Sequence, residues 1–78
     1  MVTLYSLTGC PYCERVEESL DQAGIDYDRV EVEGLHSKRD EVREISGQRA
    51  VPVLVDEERG VTMPESQNIV DYVEKTLA

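Results

Sequence analysis

The chain has 78 residues, 17 acidic and 8 basic, and a net charge of -9. This length gives one small domain, residues 1–78, with room for a single modest core. The acidic balance disfavours nucleic acids and anionic membranes as partners, because their phosphates repel such a surface.

The composition and the hydropathy pattern bear on where the protein works. No apolar segment approaches about 18 residues, and no basic flank precedes an apolar run at the N-terminus, so we expect a cytoplasmic monomer. Acidic residues are dispersed along the chain and only two basic residues are lysines, Lys38 and Lys75. We interpret this as adaptation to high salt, with an ordinary acidic surface as the alternative.

The first predicted elements are a strand over Val2 to Ser6 and a helix from about Pro11 to Ala23. The strand is apolar on both faces, which predicts a position in mid-sheet, covered on each side. Gly24 suits the end of the helix. The helix buries Val16, Leu20 and Ala23, and its predicted outward residues are Glu14, Arg15, Glu17, Glu18 and Asp21.

The next elements are a strand over Tyr27 to Val32 and a helix over about Lys38 to Ile45. A crossover of this length predicts that the strand runs parallel to the first one. Val42 gives the helix part of its apolar edge. His36 lies in the turn before it, where we expect an exposed side chain without a functional role.

The last third of the chain contains two predicted strands and a helix. Ala50 to Val55 reads as a strand, Asp56 to Gly60 as a hairpin turn, and Val61 to Met63 as a short edge strand. Ser66 is predicted to cap the final helix. Its apolar stripe consists of Ile69, Val70, Val73 and Leu77.

Both cysteines of the chain, Cys10 and Cys13, lie two residues apart at the start of the first helix. Pro11 fits the first helical position, which leaves Cys10 at the helix N-terminus. Free N–H groups and the helix dipole favour a thiolate there. Cys13, one turn further in, is placed to attack a disulfide formed on Cys10. We interpret Cys10 and Cys13 as a catalytic pair.

Three other interpretations of the cysteine pair remain open. A structural disulfide across so short a loop would constrain the unfolded chain little. A closed zinc site needs four ligands, and His36 is the one additional His or Cys in the chain. An iron-sulfur cluster shared between two chains would need only one or two thiolates from each. We expect no metal, and keep a cluster-carrying module as the alternative function.

Cys10-Pro11-Tyr12-Cys13 after the first strand, together with Val51-Pro52 before the third, resembles the glutaredoxin branch of the thioredoxin fold. The second half of the chain is similar to that of transferase-like glutaredoxins. The resemblance implies an α/β fold of order β-α-β-α-β-β-α, with a four-stranded mixed sheet flanked by helices. It also implies a thiol-disulfide oxidoreductase that reduces mixed and protein disulfides with glutathione as co-substrate.

The resemblance further implies roles for individual residues. Cys10 would be the nucleophile, Cys13 the resolving thiol, and Tyr12 part of the glutathione groove. Val51, before a cis Pro52, would pair its backbone with the cysteinyl part of glutathione. Two sets of residues would bind the ends of the tripeptide. Glu65 and Ser66, together with the helix N-terminus, would bind the γ-glutamyl group, and Arg49 would bind the glycyl carboxylate.

Leu7 departs from the family pattern. Many glutaredoxins have a lysine three residues before the first cysteine, and its charge supports the thiolate and a glutathione carboxylate. Without that charge, and with Glu14 and Glu17 nearby, we expect weaker support for the thiolate and for an anionic tripeptide. If the protein is adapted to high salt, we expect as an alternative co-substrate another γ-glutamyl thiol that lacks the glycyl carboxylate.

Overall fold

The computed structural model describes residues 2–32, 34, 42–44 and 51–77. Most of the predicted helix over 38–45 lies outside these residues; within it, residues 42–44 are helical and Val42 is buried. His36 and Arg49 also lie outside. The described elements are the strands β1 (Val2–Ser6), β2 (Tyr27–Glu31), β3 (Val53–Asp56) and β4 (Val61–Pro64), the helices α1 (Pro11–Gln22) and α2 (Ser66–Tyr72), and a π-helical continuation of α2 over Val73–Leu77.

The four strands form one mixed sheet in the order β2-β1-β3-β4. β1 pairs parallel with β2 and antiparallel with β3, and β3 pairs antiparallel with β4. The predicted mid-sheet position of β1 and its parallel pairing with β2 are confirmed. With helices packed against the sheet, this is a thioredoxin-like fold.

The strand register brings several chain segments to one end of the sheet. Ser6 lies opposite Glu31, Tyr5 opposite Val53, and Val53 opposite Pro64. β1, β2 and β4 therefore end at the edge where β3 begins. We call this edge the Cys10 end of the sheet, because the chain reaches Cys10 directly after β1.

Each face of the sheet buries its own apolar cluster, as the apolar pattern of β1 predicts. The cluster under α1 and α2 consists of Val2, Leu4, Val16, Leu20, Leu54, Ile69, Val70 and Val73. The cluster on the opposite face consists of Tyr5, Val42 and Val53, with Val30, Val32, Val51 and Val55 packed against it. The alternation of side chains along β1 and β3 divides their residues between the two faces.

Three predictions about the last third of the chain are wrong. The strand predicted from Ala50 begins only at Val53, after Pro52, which has no N–H to donate to a strand partner. Ser66 does not cap α2: it is the first helical residue, and Glu65 occupies the N-cap without a side-chain capping bond. Asp56 is not part of the hairpin turn; it ends β3 and is 1% exposed. Asp56 extends the strand because Tyr72 and Arg59 hydrogen-bond its carboxylate at 2.7 and 3.1 Å, which compensates the burial of its charge.

Candidate functional site

Cys10 occupies the N-cap of α1, where the preceding loop turns the chain from the sheet into the helix. Gly9 makes this turn with φ +85, a conformation that side chains disfavour. The Cys10 N–H donates to the Leu7 carbonyl at 3.2 Å. The Cys10 sulfur accepts the N–H of Cys13 at 3.4 Å, so a backbone donor at the helix N-terminus faces it. Cys10 is half-buried, so it is partly exposed to solvent at the start of the helix.

Cys13 differs from Cys10 in its surroundings. It is fully buried, and no disulfide joins it to Cys10. Burial, together with the hydrogen bond to the Cys10 side chain, raises the pKa of Cys13 to about 11, although hydrogen bonds with the Leu7 backbone and the Ser6 side chain act in the opposite direction. Cys13 is therefore a protonated thiol at neutral pH, next to an accessible sulfur.

The loop before Cys10 is attached to the end of β2. The Glu31 carboxylate accepts hydrogen bonds from the backbone N–H and the hydroxyl of Thr8, both at 2.9 Å, and pairs with Arg29 at 2.7 Å. These bonds, the Thr8 N–H first, lower the pKa of Glu31 to about 2. The attachment holds the Thr8-Gly9-Cys10 loop against the sheet.

A second polar connection lies between β1 and α1. The buried Ser6 hydroxyl donates to Glu17 Oε2 at 2.8 Å, and Arg29 Nε pairs with Glu17 Oε1 at 3.0 Å. The prediction that Glu17 faces outward is wrong, since only 23% of its side chain is exposed. Helical periodicity places Glu17 at the border of the apolar stripe, where the buried Ser6 gives it a partner.

The other predicted site residues that the structure describes follow or precede elements that meet the Cys10 end of the sheet. Val51 is half-buried and precedes β3, and its bond to the buried Pro52 is cis, as predicted. Glu65 and Ser66 follow β4 at the same edge. Tyr12, in the first turn of α1, is 64% exposed. Arg49 lies outside the described residues.

Glu65 has an unusual backbone conformation. Its φ of 73 is in the region that side chains disfavour, and its exposed carboxylate accepts a hydrogen bond from Asn68 at 3.3 Å. The structure thus puts a carboxylate on a constrained turn between β4 and α2. Strained residues of this kind are enriched at binding sites.

Sequence reasoning missed the roles of Ser6, Thr8 and Glu31. Ser6 is a small polar residue at the end of an otherwise apolar strand, four positions before Cys10, and this was the available signal. The contact between Thr8 and Glu31 spans 23 residues and depends on the parallel register of β1 and β2. The local sequence around either residue therefore does not indicate this contact.

The part of the chain that the structure describes has neither a cluster of metal ligands nor a membrane-spanning helix. Within residues 2–32, 34, 42–44 and 51–77, His, Cys, Asp and Glu form no group of three or more that could hold a metal ion. Among the helices of the same residues, none has the length and apolar character needed to cross a membrane.

The chain is similar to proteins of known families over almost its whole length. Residues 4–78 match the family model "Glutathione S-transferase, N-terminal domain". A glutaredoxin-like 8.6 kDa protein in the rubredoxin operon of Clostridium pasteurianum is 37% identical over 54 residues, which cover 69% of this chain and 72% of that protein. Glutaredoxin 3 of Escherichia coli K12 is 32% identical over 53 residues, 68% of this chain and 64% of that protein.

A solved structure has the same fold. Glutaredoxin 2 of Salmonella typhimurium in complex with glutathione superposes with a TM-score of 0.84 at 24% identity. The superposition covers 96% of this chain and 33% of that protein. This chain therefore corresponds to about a third of the solved protein.

Proposed function

Because this chain belongs to the glutaredoxin family, we propose that it is a dithiol thiol-disulfide oxidoreductase that reduces mixed and protein disulfides through Cys10 and Cys13. The observation that carries the proposal is the contrast between the two thiols. Cys10 is accessible at the N-terminus of α1, whereas Cys13 is buried one turn further in, beside the Cys10 sulfur. We infer that Cys10 reacts first with the disulfide substrate and that Cys13 reacts afterwards.

The chemistry follows from that contrast. The Cys10 thiolate attacks one sulfur of the substrate disulfide, a new bond to Cys10 forms, and the other sulfur leaves with the electron pair as a thiolate. Either a second small thiol or Cys13 then attacks the Cys10 sulfur and releases the bound group. The first route regenerates the Cys10 thiol, and the second leaves a Cys10–Cys13 disulfide for the reductant.

We propose glutathione or another γ-glutamyl thiol as the co-substrate. The bound glutathione of the Salmonella typhimurium protein supports this choice. Val51 precedes β3 and is not part of the strand, which supports a role for its backbone in pairing with an extended peptide. Glu65 suits the γ-glutamyl ammonium and Ser66 its carboxylate, while Tyr12 would line the groove and Arg49 bind the glycyl carboxylate.

The proposed partners are a small thiol and disulfide-containing client proteins. The net charge of -9 supports a monomer without nucleic acid or membrane contact, and we propose that it works in the cytoplasm. Electrostatic repulsion would also disfavour anionic clients, so neutral or basic surfaces around a disulfide would be preferred.

The test is turnover of a glutathionylated peptide and of a protein disulfide by wild type, Cys10→Ser and Cys13→Ser. We expect Cys10→Ser to lose both activities. Cys13→Ser should keep the first, because a small thiol replaces Cys13, and should lose much of the second. Running the peptide reaction with glutathione and with γ-glutamylcysteine identifies the preferred thiol. Equal losses for the two variants on the peptide would contradict the assigned roles.

A further inference from the structure

Arg29 binds two carboxylates that hold the end of β1 and the loop after it. Its Nε pairs with Glu17 Oε1 at 3.0 Å, and its Nη1 pairs with Glu31 Oε1 at 2.7 Å. Glu17 in turn accepts the Ser6 hydroxyl at 2.8 Å. Glu31 accepts the backbone N–H and the hydroxyl of Thr8, both at 2.9 Å. We call these five residues the Arg29 cluster.

The strand geometry explains why Arg29 reaches both carboxylates. Arg29 and Glu31 are two residues apart on β2, and alternate side chains of a strand lie on one face. Tyr27, two residues before Arg29, packs against the apolar cluster under α1, so this is the face that α1 covers. Because a guanidinium has several N–H donors in a planar fork, Arg29 binds a carboxylate of its own strand and one of the helix together.

The loop that the Arg29 cluster holds forms the turn that carries Cys10. The Cys10 N–H donates to the Leu7 carbonyl at 3.2 Å, which closes a four-residue turn. Gly9, the third residue of this turn, has φ +85, which suits glycine at that position. The second residue is Thr8, whose backbone is fixed by the cluster. The cluster therefore fixes the turn from which the Cys10 side chain projects.

The place of the Cys10 sulfur governs its reactivity. The sulfur accepts the Cys13 N–H at 3.4 Å at the start of α1, where backbone donors and the helix dipole favour a thiolate. A shift of the turn by about 1 Å would take the sulfur away from this donor, and misplacements of that size can lower a rate by about 100-fold. Cys10 thus needs a turn that is held firmly.

The charge of Arg29 is used within its own cluster. One guanidinium pairs with two carboxylates, so the cluster as a whole remains negative. The hydrogen bond to Glu31, ahead of the one to Glu17, raises the pKa of Arg29 above its usual value. A cluster that remains negative does not favour a nearby thiolate by its charge. Its contribution to Cys10 is therefore geometric.

We propose that Arg29 is a positioning residue for Cys10: it fixes the two glutamates that hold the turn, and the turn keeps the Cys10 sulfur at the helix N-terminus. The inference rests on the function proposed above, in which Cys10 attacks the substrate disulfide. The role requires the fork of the guanidinium as well as its charge. Lysine has the charge but only a single ammonium, so it does not reproduce the two fixed contacts.

The experiment measures alkylation of Cys10 by iodoacetamide, an uncharged reagent, at neutral pH and well below the melting temperature. Mass spectrometry locates the label. Arg29→Lys keeps the charge, and Arg29→Met keeps only an apolar stem. Arg15→Lys and Arg15→Met are the matched controls, since Arg15 lies on α1 and donates to Gln67 at 2.8 Å.

We expect both Arg29 variants to alkylate Cys10 about 10- to 100-fold more slowly than wild type, while the two Arg15 variants react at the wild-type rate. Cys13 should stay unlabelled in all of them, because it is buried. The kcat/KM for a glutathionylated peptide should fall by the same factor, since both reactions begin with the Cys10 sulfur. Circular dichroism shows whether each variant is folded, and Arg29→Lys decides alone if Arg29→Met does not fold.

The competing explanations give different results. If Arg29 acted by its charge alone, Arg29→Lys would react as fast as wild type. If it only stabilised the fold, both variants would keep the wild-type rate at this temperature, or would open and expose Cys13 to the reagent. Each of these results would overturn the positioning role. The proposed function fails separately, if wild type does not turn over the glutathionylated peptide, and the alkylation rates then still decide the role of Arg29.

Discussion

Glu31 holds Thr8 by two hydrogen bonds of 2.9 Å, one from the backbone N–H and one from the hydroxyl. This contact joins the end of β2 to the loop that carries Cys10. A carboxylate of the neighbouring strand therefore holds the loop that leads to Cys10. Arg29 completes the arrangement by pairing with both Glu31 and Glu17.

Glu31→Gln should lower the melting temperature by a few degrees at neutral pH. The pKa of Glu31 is lowered in the folded protein to about 2, so its contribution is complete above the unfolded-state pKa of about 4.3 and is lost as pH falls through about 2. The difference between wild type and Glu31→Gln should thus shrink between those two pH values. Thermal unfolding across that range measures it, and a difference independent of pH would contradict the assignment.

Tyr72→Phe should destabilise the fold by about 1 to 3 kcal/mol, since the buried Asp56 carboxylate loses its 2.7 Å hydrogen bond. This bond, ahead of the one from Arg59, keeps the pKa of Asp56 below its usual value. The effect should therefore be largest at neutral pH and decrease in acid. Tyr12→Phe is the matched control, because Tyr12 is 64% exposed. Equal denaturant midpoints for the two variants would refute the role of Asp56.

Much of the fold could be predicted from the sequence because β1 is apolar on both faces and α1 has a clear helical apolar period. The same local reasoning failed at Ser66 and Asp56. The Ser66 prediction relied on a capping preference, which the unusual φ of Glu65 overrides. The burial of Asp56 depends on Tyr72, 16 residues later.

The candidate site likewise combines features that could be predicted from the sequence with features that could not. The cysteine pair could be predicted from a local motif, and the cis Val51-Pro52 bond from the family resemblance. The hydrogen bonds of Ser6 to Glu17, and of Thr8 to Glu31, could not. The first contact forms where α1 packs against the sheet, and the second forms where two parallel strands align. Neither contact can be inferred from a run of neighbouring residues.

Replacing Glu65 should separate backbone strain from ligand binding. Glu65→Gly and Glu65→Ala both remove the carboxylate, so both should raise the KM for glutathione. Only glycine adopts a φ of 73 without strain, and Glu65→Gly should be more stable than Glu65→Ala by about 1 kcal/mol. Chemical denaturation and steady-state kinetics of the two variants provide the measurements. An unchanged KM in both would remove Glu65 from the proposed binding site.

The acidic surface predicts a response to salt. Repulsion among the charges that give the net -9 should weaken as the screening length falls to roughly 3 Å at about 1 M salt. The melting temperature and the kcat/KM for an anionic thiol substrate should therefore rise together from about 0.01 M to about 1 M NaCl. Flat or falling curves for both would mean that the acidic surface is not an adaptation to high salt.

The most direct measurement of the central claim is mass spectrometry of the protein after brief exposure to glutathione disulfide at neutral pH. In Cys13→Ser we expect one glutathione on Cys10. Cys10→Ser should remain unmodified over the same time, because Cys13 is buried and its pKa is raised to about 11. Modification of Cys13 in Cys10→Ser at the rate seen for Cys10 would contradict the account.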